Sequence, residues 1–450
     1  MKNELLVVIG ANAAGMSAAS KLRRLDTKKK ILVFEKGKHP SFSACGIPYL
    51  IGGEVKSAKN LIARTPEEFL LNQNIEVKIQ HEVLEIDVSK KRILILSLLD
   101  KTEFWQKYDD LLIATGTSPI SPKLPGIEAK GVFAFSSLES GKSADRYIQK
   151  HQPKTAVIIG GGYIGIEMAE ALLHLGMKVS LIDMAPQVMA TLDPDMSEII
   201  AAYMKKEGVD LFLGQKLESL EMDDSRTVSV VVTDKKRIKA DLVILGIGVK
   251  PNSKIAEAAG IQIGAGGAIQ VNKKLETSAE HIWAAGDCAE SYHLVSGKEI
   301  FISLGTVANK HGQIAGINIS GGKAEFPGVV GTAITKFKDL EISRTGLSEK
   351  EANQEGMDYD VALIESSVFS SYLPDSEKIT VKLLSEKASG RLLGGQIVGG
   401  KGAGKRIDVI AIALQAKMTA RDLVFADLAY VPPLSGVWDP VQIAARQLVK

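Results

Sequence analysis

Cysteine is nearly absent: two in 450 residues, Cys45 and Cys288. Two thiols cannot build a disulfide framework, which excludes a disulfide-stapled secreted scaffold and points to a reducing, cytoplasmic setting. Charge of one sign is lacking too. Fifty-five basic and 53 acidic residues leave a formal charge of +2, which argues against nucleic acid or an anionic membrane as the main partner. No apolar run approaches the ~18 residues of a membrane span. The opening "LLVVIGANAAGMSAAS" could pass for the apolar core of a secretion signal, but Glu4 interrupts its charge pattern and its glycines have a better use. What is present is ordinary for a globular protein. The sequence is 45% hydrophobic and 24% charged, and its length suits about three domains of ~150 residues.

The glycines are organised. "ELLVVIG", a small-residue turn, "GMSAASKLRRL" and "KKILVFEK" read as strand, turn, helix, strand, the βαβ layout that binds a dinucleotide. The turn runs Gly10-Ala-Asn12-Ala-Ala14-Gly15, with Asn12 where the motif has its middle glycine. If that position is left-handed, asparagine is among the next-best residues for it. Glu35 closes the second strand, placed to accept hydrogen bonds from a ribose. The layout repeats without the substitution in "TAVIIGGGYIGIEMAEALLHLGMKVSLID": Gly160, Gly162 and Gly165 open a helix, and Asp183 ends the next strand. Glycines let a pyrophosphate approach the backbone, and the helix N-terminus adds favourable partial charge. A carboxylate at that strand end favours a 2′-hydroxyl over a 2′-phosphate, hence NADH over NADPH. Two such modules imply one bound flavin and one exchanging nicotinamide. "YDDLLIATGTSP" (108–119) and "ADLVILGIGVKP" (240–251) are apolar strands running into glycine and proline, and "TSAEHIWAAGDCAE" ends a strand at Gly286-Asp287.

With these segments the chain resembles the two-dinucleotide flavoprotein disulfide reductases over nearly all of its length. The resemblance implies an α/β fold: two Rossmann-like dinucleotide-binding domains followed by an α+β dimerisation domain. FAD would be held by a discontinuous domain, 1–119 with 251–325, and NAD by 120–250. Residues 326–450 would form the dimerisation domain of a homodimer, where "GRLLGGQIVGGKGAGKRIDVIAIAL" reads as a hairpin and a helix. The implied FAD residues are Gly10, Asn12, Ala14, Gly15, Glu35, Lys36, Val83, Ala114, Thr115, Gly116, Gly286 and Asp287. Those for NAD are Gly160, Gly162, Tyr163, Ile164, Gly165, Glu167, Asp183 and Gly248, with Glu167 lining the contact between nicotinamide and flavin. No metal is implied.

Disulfide reductases with two active cysteines use C-x4-C, whereas here Pro40 and Leu50 stand five positions either side of Cys45. Cys45 therefore works alone or is a structural loop residue. Gly46-Ile47-Pro48 would open a helix whose first N–H groups favour the thiolate and lower its pKa. "SFSACGIPYLIGG" is similar to the redox motif of the single-cysteine branch: coenzyme A disulfide reductases, NADH oxidases and peroxidases, and persulfide or polysulfide reductases. "CGIPY" is nearest the coenzyme A disulfide reductases, although Ala44 stands where that motif can carry asparagine. The oxidases and peroxidases carry a histidine where this chain has Ala13, which exchanges no proton. The resemblance implies Tyr372 and Tyr430 as acid/base groups reaching the partner subunit's Cys45. It also implies that Ser17, Lys21, Arg24 and Ser41 contact coenzyme A, the first three on one helix face, with coenzyme A held as a mixed disulfide on Cys45. Cys288 reads as structural, and Lys28-Lys29-Lys30 as a solvated turn. Some relatives append a rhodanese-like domain, so with Lys450 as the last residue any sulfur carrier is expected to be separate.

The expected function is NADH-dependent reduction of coenzyme A disulfide, its persulfide or polysulfide. Two alternatives stand beside it: NADH oxidation by oxygen or peroxide, and a redox-sensing or partner-binding flavoprotein without significant turnover.

Overall fold

Leu6, Val7 and Val8 are all fully buried, as a strand covered on both faces requires. A computed structural model describes residues 4–449 of the chain. In it Leu5–Ile9 is the middle of a five-stranded parallel sheet. The strand order is Ile282–Ala284, Asp110–Ile113, Leu5–Ile9, Lys30–Glu35, Glu76–Ile79. The edge strand Ile282–Ala284 arrives from far along the sequence and pairs in parallel with Leu111–Ile113.

A second parallel sheet runs Val209–Leu213, Lys178–Asp183, Thr155–Ile159, Leu242–Leu245, Val132–Phe133. Each sheet has its glycine loop at the carboxyl end of its central strand, where α/β folds place ligands. The chain enters and leaves the second sheet's region by two short strands, Thr117–Pro119 and Val249–Pro251, which pair antiparallel with Thr117 opposite Pro251. A third sheet, fully antiparallel, runs Ala333–Phe337, Leu340–Gly346, Leu392–Gly399, Lys378–Glu386, Tyr359–Ser367. Helices Ile407–Gln415 and Pro440–Gln447 contribute buried faces to its core. The architecture is α/β with two Rossmann-like units and a C-terminal α+β unit.

Two local expectations need correcting. Lys29 is not in a solvated turn: its side chain is 6% exposed, with Nζ 2.5 Å from Asp110 Oδ2 and 3.2 Å from the Ile319 carbonyl. Burial is tolerated because the charge is paired and hydrogen-bonded. The glycine-rich run from 390 supplies one strand, Leu392–Gly399, rather than a whole hairpin; its partner Lys378–Glu386 precedes it. Among the described residues no helix is long and apolar enough to cross a membrane.

Candidate active site

The first glycine loop is built by close backbone approach. Gly10 has φ +102°, and a Cβ there would fall 2.2 Å from the Ala114 carbonyl oxygen; one at Gly15 would fall 2.0 Å from the Gly10 oxygen. Both positions demand glycine. Asn12 does not take the left-handed conformation allowed for above. Its φ is −107°, and it precedes the helix Ala13–Leu25 without a side-chain cap bond; the left-handed residue of the turn is Gly10. Glu35 accepts N–H bonds from Ala11 (2.8 Å) and Gly37 (2.7 Å), fixing the loop against the strand end. Ser41, at φ +49°, donates its N–H to Ala11 O at 2.7 Å. Across the loop, Gly286 lies so close that a Cβ would meet Ala14 Cβ at 2.7 Å. Thr115 and Gly116 are pinned to Asn252: Thr115 Oγ1 donates to the Asn252 carbonyl at 2.7 Å, and the Asn252 N–H to Gly116 O at 2.9 Å. Residues 10–15, 114–116, 286–287 and Ser41 thus converge on one cradle, where backbone replaces side chains as a dinucleotide pyrophosphate requires. Val83 is half-buried behind it in the Phe34 core, and Lys36 is exposed at the strand end.

The second loop repeats the construction. Gly160 has φ +107°, with Gly246 O 2.4 Å from its would-be Cβ, and a Cβ on Gly165 would fall 1.9 Å from Gly160 O. Asp183 accepts from the Gly161 and Ala185 N–H groups at 2.6 and 2.7 Å. Gly162 is open, with nothing within 4 Å of a would-be Cβ. Tyr163 and Ile164 begin the helix Tyr163–His174. Burial pushes the Tyr163 phenol up. Gly248, at φ +103°, receives the Ile120 N–H at 2.9 Å.

Cys45 stands in the short 3₁₀ turn Ala44–Gly46 that runs directly into the helix Ile47–Ile51. It is open to solvent, whereas Cys288 is fully buried, its Sγ 3.5 Å from the Ile113 and Ala285 carbonyls. The expected lowering of the Cys45 pKa is reversed. Atoms packed round the thiol push it up by partial desolvation, the Glu167 and Asp287 carboxylates push it further, and one backbone N–H only partly offsets them. The chain's own groups therefore hold Cys45 protonated. Burial likewise pushes up the carboxyls of both neighbours. Thr335 Oγ1 donates to Glu167 at 3.0 Å, with Glu170 close by, and Ser303 Oγ donates to Asp287 at 2.6 Å. Glu167 comes from the second module and Asp287 from the first, so Cys45 sits where the two meet.

Tyr430 and Tyr372 are brought together: the Tyr430 phenol is held up by partial desolvation first and by the neighbouring Tyr372 second. Neither acts on its own chain's Cys45. Both are exposed on a face that also carries Phe425, Leu434 and Val437, each about 70% exposed or more. Ser17 and Lys21 lie against the helix Gly305–Ile319; Ser17 Oγ donates to Asn309 at 2.7 Å, while Arg24 is exposed and, like Lys21, has no ion pair among the described residues.

Several participants were invisible in the sequence. Tyr49, on the next helical turn from Cys45, is pushed up by burial and by Glu167. Thr335, Ser303 and Asn252 bond the site residues from distant segments. His311 is fully buried, its pKa pushed down to about 4 by desolvation. Its Nδ1 lies 3.3 Å from the Gly286 N–H it accepts. Only the "ANKHG" helix pattern offered a hint, and it specified no partner. Among the described residues no cluster could hold a metal ion.

Comparison with known proteins agrees in fold and length. Residues 5–312 match the family model "Pyridine nucleotide-disulphide oxidoreductase", and 332–440 its dimerisation domain. A Pyrococcus horikoshii protein named NAD(P)H coenzyme A polysulfide/persulfide reductase is 40% identical over 444 residues, 98% of each chain. A Staphylococcus aureus coenzyme A disulfide reductase is 30% identical over 431 residues, 96% of each. Other relatives are named NADH oxidase. The crystal structure of reduced Bacillus anthracis CoADR-RHD superposes with a TM-score of 0.96 at 35% identity, covering 100% of this chain and 80% of that one.

Proposed function

Because the chain belongs to the pyridine nucleotide-disulphide oxidoreductase family, whose members use FAD and NAD(P)H, we propose that it reduces coenzyme A disulfide, or coenzyme A persulfide and polysulfide, with NADH through Cys45. The observation that carries this is the contrast between its thiols: Cys288 is sealed in the core, and Cys45 is open at the junction of the two nucleotide modules. In this reading residues 1–119 with 251–325 hold FAD, 120–250 hold NADH, and 326–450 form the dimer. The enzyme works in the cytoplasm, which suits its two unpaired thiols.

Bound FAD supplies the two-electron relay between NADH and the Cys45 sulfur. The chain's residues do the rest. Gly10, Asn12, Ala14 and Gly15 receive the pyrophosphate, Glu35 the ribose, and Asp287 the ribityl chain; Asp183 receives the NADH ribose and repels a 2′-phosphate. Lys21 and Arg24, uncommitted cations on one helix, receive the phosphates of coenzyme A, with Ser17 and Ser41 beside them. Cys45, once deprotonated, attacks the substrate disulfide, forms a mixed disulfide with one coenzyme A and expels the other as thiolate. The partner subunit's Tyr430, with Tyr372, protonates that leaving sulfur. The two electrons that originate in NADH would then break the mixed disulfide, releasing the second coenzyme A and leaving Cys45 as thiolate. Ala13 provides no acid/base group for oxygen or peroxide chemistry, and the presence of Cys45 in the redox motif counts against a flavoprotein without turnover.

Cys45→Ser tests the reading. It should lose at least ~10³-fold in turnover of coenzyme A disulfide, the scale of nucleophile removal, while NADH still bleaches the flavin anaerobically. Turnover that survives the substitution overturns the proposal.

A further inference from the structure

Tyr372 and Tyr430 sit on segments far apart in the chain, both exposed, 73% and 46% respectively. Exposed loops do not by themselves keep two phenols side by side. One buried cation joins those segments. Arg406, its side chain 11% exposed, donates from Nη2 to the Val368 carbonyl at 2.7 Å and to the Leu434 carbonyl at 2.8 Å. Its Nη1 reaches the Gly402 carbonyl at 2.5 Å, and its Nε reaches Asp439 Oδ2 at 2.9 Å. Asp439 is itself fixed: Oδ1 caps the helix Pro440–Gln447 by accepting the Val441 N–H at 2.9 Å, and Oδ2 also accepts from Ser435 Oγ at 3.2 Å. Between the two arms the Ser370 N–H donates to the Pro432 carbonyl at 3.1 Å, and the Ser370 hydroxyl donates to the Ser435 carbonyl at 3.5 Å.

We propose that Arg406 is the positioning residue of the tyrosine pair, its planar fork holding the segment of Tyr372 (through Val368) and that of Tyr430 (through Leu434 and Asp439) in one fixed register. The inference rests on the reading of that pair as the acid serving the partner's Cys45. A lysine cannot substitute: its single ammonium keeps the charge but cannot span acceptors on three segments at once.

The test uses the FAD-loaded dimer with coenzyme A disulfide as substrate, comparing Arg406→Lys, Tyr430→Phe and the double variant. Arg406→Lys should lower kcat about 10- to 100-fold, the scale of a misplacement near 1 Å. The rate of anaerobic flavin reduction by NADH and the dimer's elution volume should not change. On the Tyr430→Phe background, Arg406→Lys should add less than about twofold, because the group it positions is gone. Should Arg406→Lys fail to fold, Asp439→Asn, which weakens the same anchor but keeps the helix cap, is compared with Tyr430→Phe in the same way. The inference is overturned if the losses multiply, if flavin reduction falls in parallel, or if Arg406→Lys turns over at the wild-type rate while Tyr430→Phe is slow. Tyr430→Phe at full rate sinks the acid reading itself, and this inference with it.

Discussion

The two glycine loops share one skeleton and differ in what lies over them. In each a left-handed glycine meets a neighbouring carbonyl, a carboxylate at the end of the next strand clasps the loop N–H, and a left-handed residue donates back to the loop carbonyl: Ser41 to Ala11 and Met189 to Gly161, both at 2.7 Å. Beyond that they diverge. The Ala14 side chain is roofed by Gly286, and its carbonyl oxygen by Gly312, whose would-be Cβ falls 2.4 Å from it; a side chain larger than alanine at position 14 would crowd Gly286. The matching position, 164, is a half-buried isoleucine with no such roof. A closed loop suits a ligand that stays, and an open one suits a ligand that must leave each cycle. On the proposed assignment the same turn chemistry would serve a resident and an exchanging dinucleotide, with packing from distant segments deciding which.

Ala14→Ile strikes that difference hardest. Overpacking beneath Gly286 and Gly312 costs about 1–3 kcal/mol, and the purified protein should come without its flavin absorbance. Ile164→Ala should keep the flavin and cost about 1–2 kcal/mol in denaturant unfolding, below the ~2–5 of a core site. Equal flavin loss in both would erase the distinction. Asp183→Asn separates the modules next: it removes charge but keeps an acceptor for the loop N–H groups. The ratio of kcat/KM for NADPH over NADH should rise about tenfold, or ~1.4 kcal/mol, with flavin content unchanged; an unmoved ratio refutes the role given to Asp183. The smallest effect lies at the junction. Glu167→Gln removes a negative charge beside Cys45, lowering its pKa and raising the thiolate fraction at neutral pH, so iodoacetamide should alkylate Cys45 roughly two- to fivefold faster at pH 7. An unchanged rate across pH 6–9 would mean that Glu167 does not set the thiol's charge.

Which parts were legible follows from range. Gly10, Gly15, Glu35 and their counterparts Gly160, Gly165 and Asp183 act within one βαβ unit, so local spacing exposed them. The roof over Ala14 needs Gly286 and Gly312, and the raised pKa of Cys45 comes first from the atoms packed round it and then from Glu167 and Asp287; no local pattern encodes those encounters. Asn12 taught a narrower lesson, since reading glycine as left-handed at every motif position misassigned the strained residue, which is Gly10. Lys29 misled because a run of three lysines reads as solvated until Asp110 folds beneath it.

The strands Thr117–Pro119 and Val249–Pro251 lie side by side, so everything threaded between them begins and ends at nearly the same point in space. A segment with adjacent ends can be exchanged as a cassette without moving what flanks it. On the proposed assignment, exchanging that cassette would redraw pyridine-nucleotide preference while the first glycine loop and Cys45 stay where they are.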